Sequence, residues 1–199
     1  RSRGLGDVYK RQEEQREQTK KRNKLLYQSE HDELTGLYNK RSLNRYLEDV
    51  FEACKLNEKE LGILFLDIDY FKQLNDRYGH GKGDEGICAV ADTLKRIFPE
   101  DYVARYGGDE FLVVMTGRDR EYAEEHARQL CMGIRECEIP NEDSSVEPWL
   151  TISVGGVCAI PKEPNRVWDF LSAADKTLYD QKNEQKGKVR FYVGEGQYL

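Results

Sequence analysis

The amino-acid sequence predicts an α+β domain in which helices pack around a central mixed β-sheet. Its periodic segments alternate between helices and strands, and they include one β-hairpin. No segment repeats another, which excludes a repeat architecture. The length of 199 residues suits one compact domain with a short extension, since two full domains would be cramped.

The N-terminal region is predicted to lie outside this domain, which is assigned to residues 31–199. Residues 1–12 lack periodicity and resemble translated adapter sequence, so we expect a non-native tail on a chain that begins without methionine and is a fragment. Residues 13–30 are mostly charged or amide residues, a composition that favours a solvated helix. This helix is interpreted as a frayed tail or as a connector, half of a coiled coil, from a missing upstream domain.

The first half of the domain is predicted to contain two long helices and a buried strand. Apolar residues recur at helical spacing over residues 43–54, and residues 61–66 form an apolar run that predicts a strand ending in Asp67-Ile68-Asp69. A second long helix is predicted over residues 87–97, because helical periodicity stops near Pro99.

The second half is predicted to open with the β-hairpin. Two apolar segments, residues 102–106 and 111–115, flank the turn Gly107-Gly108. Helical or strand periodicity then predicts a helix, a strand, a helix and a last strand over residues 122–134, 150–160, 167–178 and 189–193.

Composition excludes several classes of protein. Lysine and arginine total 31 against 37 acidic residues, a net charge of −6 without a basic run, so a nucleic-acid partner is not expected. The longest uncharged stretch, residues 148–161, is shorter than the roughly 20 apolar residues of a membrane helix. The five cysteines include no C-x-x-C pair and are interpreted as reduced core thiols of a cytoplasmic domain.

Acidic residues follow the predicted buried strand and occupy the hairpin turn. Asp69 is interpreted either as a helix N-cap or, with Asp67, as a metal ligand, and Asp109-Glu110 either as an ordinary solvated turn or as part of a site. If the two strands are neighbours, oxygens of Asp67 and Asp109 and the Ile68 carbonyl suit part of a Mg²⁺ (or Mn²⁺) shell completed by nucleotide phosphates.

Residues 71–84 lie between these acidic groups and are rich in polar side chains and glycine, which predicts a nucleotide-binding turn. Asn75 can donate to and accept from a base edge. An ionised Asp84 only accepts, which matches the N1 and N2 donors of guanine. Lys72 suits phosphate. His80 is interpreted as a locally packed or capping histidine rather than a metal ligand.

Five segments together resemble the GGDEF family of diguanylate cyclases from Asp32 to about Phe191. Residues 32–40 (DELTGLYNK) resemble D-x-L-T-G-L-x-N-R, and residues 67–84 resemble D-x-D-x-F-K-x-x-N-D-x-x-G-H-x-x-G-D. Residues 105–111 (RYGGDEF) carry the signature, and residues 151–155 and 174–179 continue the pattern. The resemblance implies a palm-like nucleotidyl cyclase fold.

The resemblance also implies site residues. Metal ligands would be Asp67, Ile68 and Asp109. Catalytic roles would fall to Asp109, Lys72 and Glu110, with Asp109 a candidate base. The implied contacts with GTP are Asn75, Asp84, Phe71, Lys72, His80, Arg105, Lys182 and Lys186, with Lys188 an alternative to Lys186.

The implied reaction joins two GTP molecules into cyclic di-GMP and releases pyrophosphate. Because each domain of the family holds one GTP, the resemblance implies a homodimer with facing sites, paired through the N-terminal helix and governed by an upstream sensory domain. The full protein could be membrane anchored. Two other functions stay open: a silent module that binds GTP or cyclic di-GMP, and a synthase of mixed cyclic dinucleotides.

One departure from the family concerns product inhibition. Many members carry R-x-x-D before the signature, whereas this chain has Phe98 in place of the arginine and retains Asp101. A phenyl ring cannot replace a guanidinium fork, so we expect the inhibitory site to be lost.

Overall fold

The computed structural model describes residues 3–193, with side chains from residue 13 onward. Within these residues the chain forms six helices and six strands, with α3 followed directly by α4 and β3 by β4. The helices are α1 (Arg3–Glu30), α2 (Lys40–Leu56), α3 (Phe71–Tyr78), α4 (His80–Ile97), α5 (Arg120–Arg135) and α6 (Val167–Glu184). The strands are β1 (Tyr38–Asn39), β2 (Leu61–Ile68), β3 (Tyr102–Arg105), β4 (Glu110–Thr116), β5 (Ile152–Ala159) and β6 (Val189–Phe191).

All six strands form one mixed sheet in the order β1-β3-β4-β2-β5-β6, which confirms the predicted α+β fold. The central strand β2 pairs antiparallel with β4 and β5. The outer pairs, β1 with β3 and β5 with β6, are parallel. Every residue of β2 except Asp67 is buried, because the strand has a neighbour on each side and helices on both faces.

The two faces of the sheet have separate apolar cores. On one face, α4 and α5 pack over Leu64 and Leu66. On the other face, α2 and α6 pack over Ile63 and Phe65. Side chains alternate along a strand, so Asp67 follows Phe65 toward the α6 side.

Helix α1 is longer than predicted. It begins at Arg3, so the described part of the region expected to be a separate tail continues into the same helix. Residues 13–29 are all exposed, since the helix has no apolar stripe to bury. Its last turn is joined to the domain by stacked rings with centroids 3.9 to 4.5 Å apart, in the order Tyr27, His31, Tyr38, Tyr102 and Tyr46.

Residues 71–84 differ from the predicted turn. Most of them are helical, in α3 and the start of α4, and the chain breaks only at Gly79, whose φ of 84° is accessible to glycine. Polar residues at these positions do not prevent a helix that buries Leu74. Strand β1 was also not predicted, because two residues carry no periodicity.

Two expectations from composition concern membrane helices and the cysteines. Within residues 3–193, no helix combines the length and apolar character that crossing a membrane requires. The five cysteines are free thiols, but only Cys54 and Cys131 belong to the apolar cores, because Cys88 and Cys158 are partly exposed and Cys137 is exposed.

Candidate active site

The end of β2 and the β3–β4 hairpin meet in one corner of the domain. Asp67 lies opposite Glu110 in the antiparallel register, and the Ile68 amide donates to the Asp109 carbonyl at 3.2 Å. The strands that carry the predicted metal ligands are therefore neighbours. We call Asp67, Ile68, Asp109 and Glu110 the metal corner.

The carboxylates of the metal corner perturb one another. Burial, and then the charge of Asp67, raises the pKa of Asp109. Burial, and then the charges of Asp67 and Asp109, raises the pKa of Glu110. A cation placed among these groups would favour their charged forms.

A lysine supplies one such cation. The Nζ atom of Lys182, on α6, lies 2.6 Å from Oδ1 of Asp67, and both side chains are mostly buried. Hard oxygen donors with an unbalanced negative charge also suit Mg²⁺ or Mn²⁺. Across the described residues, no three His, Cys, Asp or Glu side chains converge on one metal position. The two predicted carboxylate ligands, Asp67 and Asp109, could therefore form a metal coordination shell only together with the Ile68 carbonyl and oxygens from a ligand.

The side chain of Arg105 stabilises the Gly107-Gly108 turn of the signature. Its guanidinium donates to the Gly107 carbonyl at 3.1 Å and to the Gly108 carbonyl at 2.7 Å, and it pairs with Asp32 at 3.0 Å. Burial opposes ionisation of Asp32, but hydrogen bonds from Thr35 and Arg105 outweigh it and lower the pKa of Asp32. Arg105 thus supports the hairpin, and its predicted contact with GTP stays a prediction.

Asp69 has a different environment from Asp67. It is fully buried and accepts hydrogen bonds from the Thr151 hydroxyl at 2.8 Å and the Ser153 hydroxyl at 2.7 Å. Burial raises the pKa of Asp69, and the two hydrogen bonds offset only part of this effect. The N-cap interpretation is wrong, because Tyr70 occupies the cap position of α3 without a capping side chain. Asp69 instead ties the end of β2 to β5.

The predicted guanine ligands lie on α3 and α4. Asn75 packs against Gly83: a Cβ atom built on Gly83 would lie 2.0 Å from Asn75 Oδ1. That oxygen is buried without a hydrogen-bond partner in the described structure. This contact places the Asn75 amide beside the residue that precedes Asp84, whose side chain is exposed. We call Asn75, Gly83 and Asp84 the base side.

Three other predicted GTP ligands belong to the same two helices. Lys72 is exposed on α3, His80 is exposed at the first position of α4, and Phe71 is half-buried against the core. These positions leave Lys72 and His80 accessible to a ligand, and their roles stay predictions.

A cleft of about 380 Å³ lies between the start of α3 and the end of α6. Its lining includes Tyr70, Lys182 and Lys186. Lys188 does not line it; its carbonyl instead accepts a hydrogen bond from the Val154 amide. This arrangement favours Lys186 over Lys188 as the second cation of the site.

The stretch that corresponds to the inhibitory motif has a packing role. Phe98 is 1% exposed, and its ring lies 5.9 Å from that of His126. Asp101 accepts a long hydrogen bond, 3.5 Å, from the Tyr122 hydroxyl. The side chain at position 98 therefore belongs to the core rather than to a ligand site.

Several residues that build the site have no role predicted from the sequence. Thr151, just before β5, and Ser153 within it are buried and alternate with apolar residues, a pattern that could have indicated an internal polar partner. The loop of residues 141–148 and Tyr70 carried no comparable pattern.

Comparison with known proteins identifies the family. The family model described as "Diguanylate cyclase, GGDEF domain" matches residues 29–188. This chain belongs to the GGDEF domain family. Its relatives include the "Probable diguanylate cyclase DgcC" of Escherichia coli, 32% identical over 167 residues, which are 83% of this chain and 44% of the relative. The chain thus spans less than half the length of that relative.

Solved GGDEF structures share the fold. The structure of the coiled coil and GGDEF domain of DgcB from Caulobacter crescentus, solved in complex with c-di-GMP, has a TM-score of 0.80 at 24% identity. The match covers 94% of this chain and 96% of the DgcB chain. Diguanylate cyclase SiaD from Pseudomonas aeruginosa, solved with its activator SiaC, has a TM-score of 0.73 at 26% identity. The match covers 95% of this chain and 72% of the SiaD chain.

Proposed function

We propose that this GGDEF domain is an active diguanylate cyclase, which condenses two GTP molecules into cyclic di-GMP with release of pyrophosphate. The observation that carries the proposal is the metal corner. Asp67, Asp109 and Glu110 lie at the paired ends of β2 and β4, and burial and the charges of neighbouring carboxylates raise the pKa values of Asp109 and Glu110. Such an arrangement is destabilising by itself, which is typical of a site that binds a cation.

Asp67, the Ile68 carbonyl and Asp109 would hold Mg²⁺ or Mn²⁺ together with phosphate oxygens. When bound, the ion supplies electrostatic stabilisation of the charge that develops on the reacting phosphate. Asp109 would accept the proton of the attacking 3′-hydroxyl, and Glu110 would add a second acidic contact.

Lysines and two helices would bind the rest of GTP. Lys72, Lys182 and Lys186 would contact the phosphates. Asn75, whose Oδ1 has no hydrogen-bond partner among the described residues, and Asp84 would hydrogen-bond to the guanine edge, and Phe71, His80 and Arg105 would complete the site.

Because each domain would hold one GTP, we propose that two copies face each other as a homodimer. The exposed α1 would pair the copies, and the ring stack from Tyr27 to Tyr46 would relate its orientation to β3 and the hairpin. An upstream sensory domain would act through α1, and the domain would work in the cytoplasm, where GTP is available.

Incubation of the purified chain with Mg²⁺ and GTP, ATP or both, followed by chromatography, tests the activity. We expect cyclic di-GMP from GTP alone, none with Asp109→Ala, and normal product with Asp49→Ala, an exposed aspartate of α2. Binding of GTP without product from dimeric protein would indicate a silent module. Mixed dinucleotides would indicate a broader synthase.

Fusion of α1 to a dimeric coiled coil tests the requirement for a dimer. Turnover per chain should rise, because the second GTP is then supplied at high effective concentration. The same turnover per chain in tethered and untethered protein would contradict the proposal of a functional dimer.

A further inference from the structure

The cleft between the start of α3 and the end of α6 contains two lysines, Lys182 and Lys186, which have different partners. Lys182 is neutralised in part by Asp67. Lys186, within the described residues, forms no ion pair, and its Nζ lies 4.7 Å from the centre of the Tyr70 ring. A cation within about 6 Å of an aromatic face is attracted to it. Such a contact fixes the position of the ammonium without neutralising the charge that a phosphate would need.

Tyr70 has an unusual backbone. Its φ of 55° and ψ of 32° are left-handed, a conformation that non-glycine residues rarely adopt. The residue lies between the end of β2 and the start of α3. This conformation persists only where the surroundings hold it, and such residues cluster at functional sites.

The loop of residues 141–148, which we call the brace, contacts Tyr70 and the neighbouring helix α3. The Tyr70 hydroxyl and the Ser145 hydroxyl are 2.5 Å apart. Arg77 on α3 pairs with Glu142 and, at 2.8 Å, with Asp143. The buried Asn141 amide donates to the Asp69 carbonyl at 3.3 Å.

The same brace also holds the turn that follows α6. Arg135 contacts Glu147 of the brace at 3.0 Å and donates to the Gly187 carbonyl at 2.9 Å. Val146 packs against Gly187 so closely that a Cβ atom there would lie 2.9 Å from it. The brace therefore joins Tyr70 and the residue after Lys186 into one unit.

We propose that Tyr70, held by the brace, is a positioning residue that fixes the Lys186 ammonium for the phosphates of GTP. This inference rests on the proposed function, since it takes GTP as the ligand. It predicts that substitutions of Tyr70 and Lys186 act through the same contact, and only on ligands that carry the phosphates.

The test measures the affinity of the full chain for 3′-deoxy-GTP, which lacks the attacking hydroxyl, and for guanosine, both with Mg²⁺. Tyr70→Leu should weaken 3′-deoxy-GTP binding about fivefold, Lys186→Ala about tenfold, and the double variant no more than Lys186→Ala alone. Tyr70→Phe keeps the ring that faces Lys186 but loses the hydroxyl contact with Ser145, so its loss of affinity should be about twofold, between wild type and Tyr70→Leu. Guanosine affinity should not change.

Tyr179→Leu, at an exposed tyrosine of α6, is the matched control and should bind as the wild type does. Thermal unfolding of Tyr70→Leu and Tyr70→Phe separates misfolding from loss of the contact. Effects of Tyr70→Leu and Lys186→Ala that multiply, or equal losses for guanosine and 3′-deoxy-GTP, would overturn the inference alone. Wild-type protein that binds neither ligand would overturn the proposed function as well.

Discussion

The metal corner and the base side differ in how each is built. The metal corner depends on strand pairing, which aligns Asp67 with Glu110 and brings carboxylates into mutual repulsion before any ligand binds. The base side depends on a local break between two helices, where Asn75 packs on Gly83 and Asp84 stays exposed. The comparison indicates that substitutions in the metal corner will change the rate, whereas those on the base side will change affinity for GTP.

The largest expected effect comes from Asp109→Asn. We expect kcat to fall about 10³-fold or more, because the variant lacks a metal ligand and the candidate base. Stability should stay the same or rise, since burial and the charge of Asp67 raise the pKa of Asp109 and so disfavour its ionised form at neutral pH. Steady-state kinetics and denaturant unfolding measure both quantities. Lower stability together with normal kcat would refute this view of the corner.

Gly83→Ala should shift the saturation curve for GTP. The added Cβ would meet Asn75 Oδ1 at 2.0 Å and displace the amide, so we expect KM to rise about tenfold with a smaller change in kcat. Gly81→Ala, in the same helix, is the control because nothing lies within 4 Å of its Cβ. If both variants have the same KM, the packing of Asn75 does not support guanine binding.

Substitution of Asp32 tests the support of the hairpin. Asp32→Asn loses the charge that pairs with Arg105, so we expect about a tenfold lower kcat and a stability loss of about 1–2 kcal/mol at pH 7. The pKa of Asp32 is lowered in the folded state, so its contribution is present above the unfolded pKa and disappears as pH falls through the folded value. The difference in unfolding free energy from wild type should therefore shrink below about pH 4.

Glu33→Gln, at a neighbouring exposed residue, is the control for Asp32→Asn. A stability difference for Asp32→Asn that stays constant at acidic pH would show that the charge of Asp32 does not support the hairpin.

The smallest expected effect is on product inhibition. With Phe98 buried in the core, added cyclic di-GMP should leave the initial rate at saturating GTP unchanged. A dose-dependent fall in that rate would show that another residue, such as the exposed Arg96 in the last turn of α4, replaces the missing arginine.

The sequence predicted the metal corner better than its surroundings. A buried apolar strand that ends in Asp67 and an acidic Gly-Gly turn each carry local patterns, and their pairing needed only the assumption that the strands are neighbours. The buried environment of Asp69, unlike that of Asp67, could not be predicted, because it depends on hydroxyls of Thr151 and Ser153 more than 80 positions away. The brace depends on ion pairs between distant, exposed residues, which leave no periodic pattern.

Product formation as a function of GTP concentration, compared for wild type, Asp109→Asn and Gly83→Ala, tests the division of the site most directly. We expect saturation for wild type, the same plateau at higher GTP concentration for Gly83→Ala, and a flat line for Asp109→Asn. A plateau retained by Asp109→Asn, or no cyclic di-GMP from dimeric wild type, would contradict it.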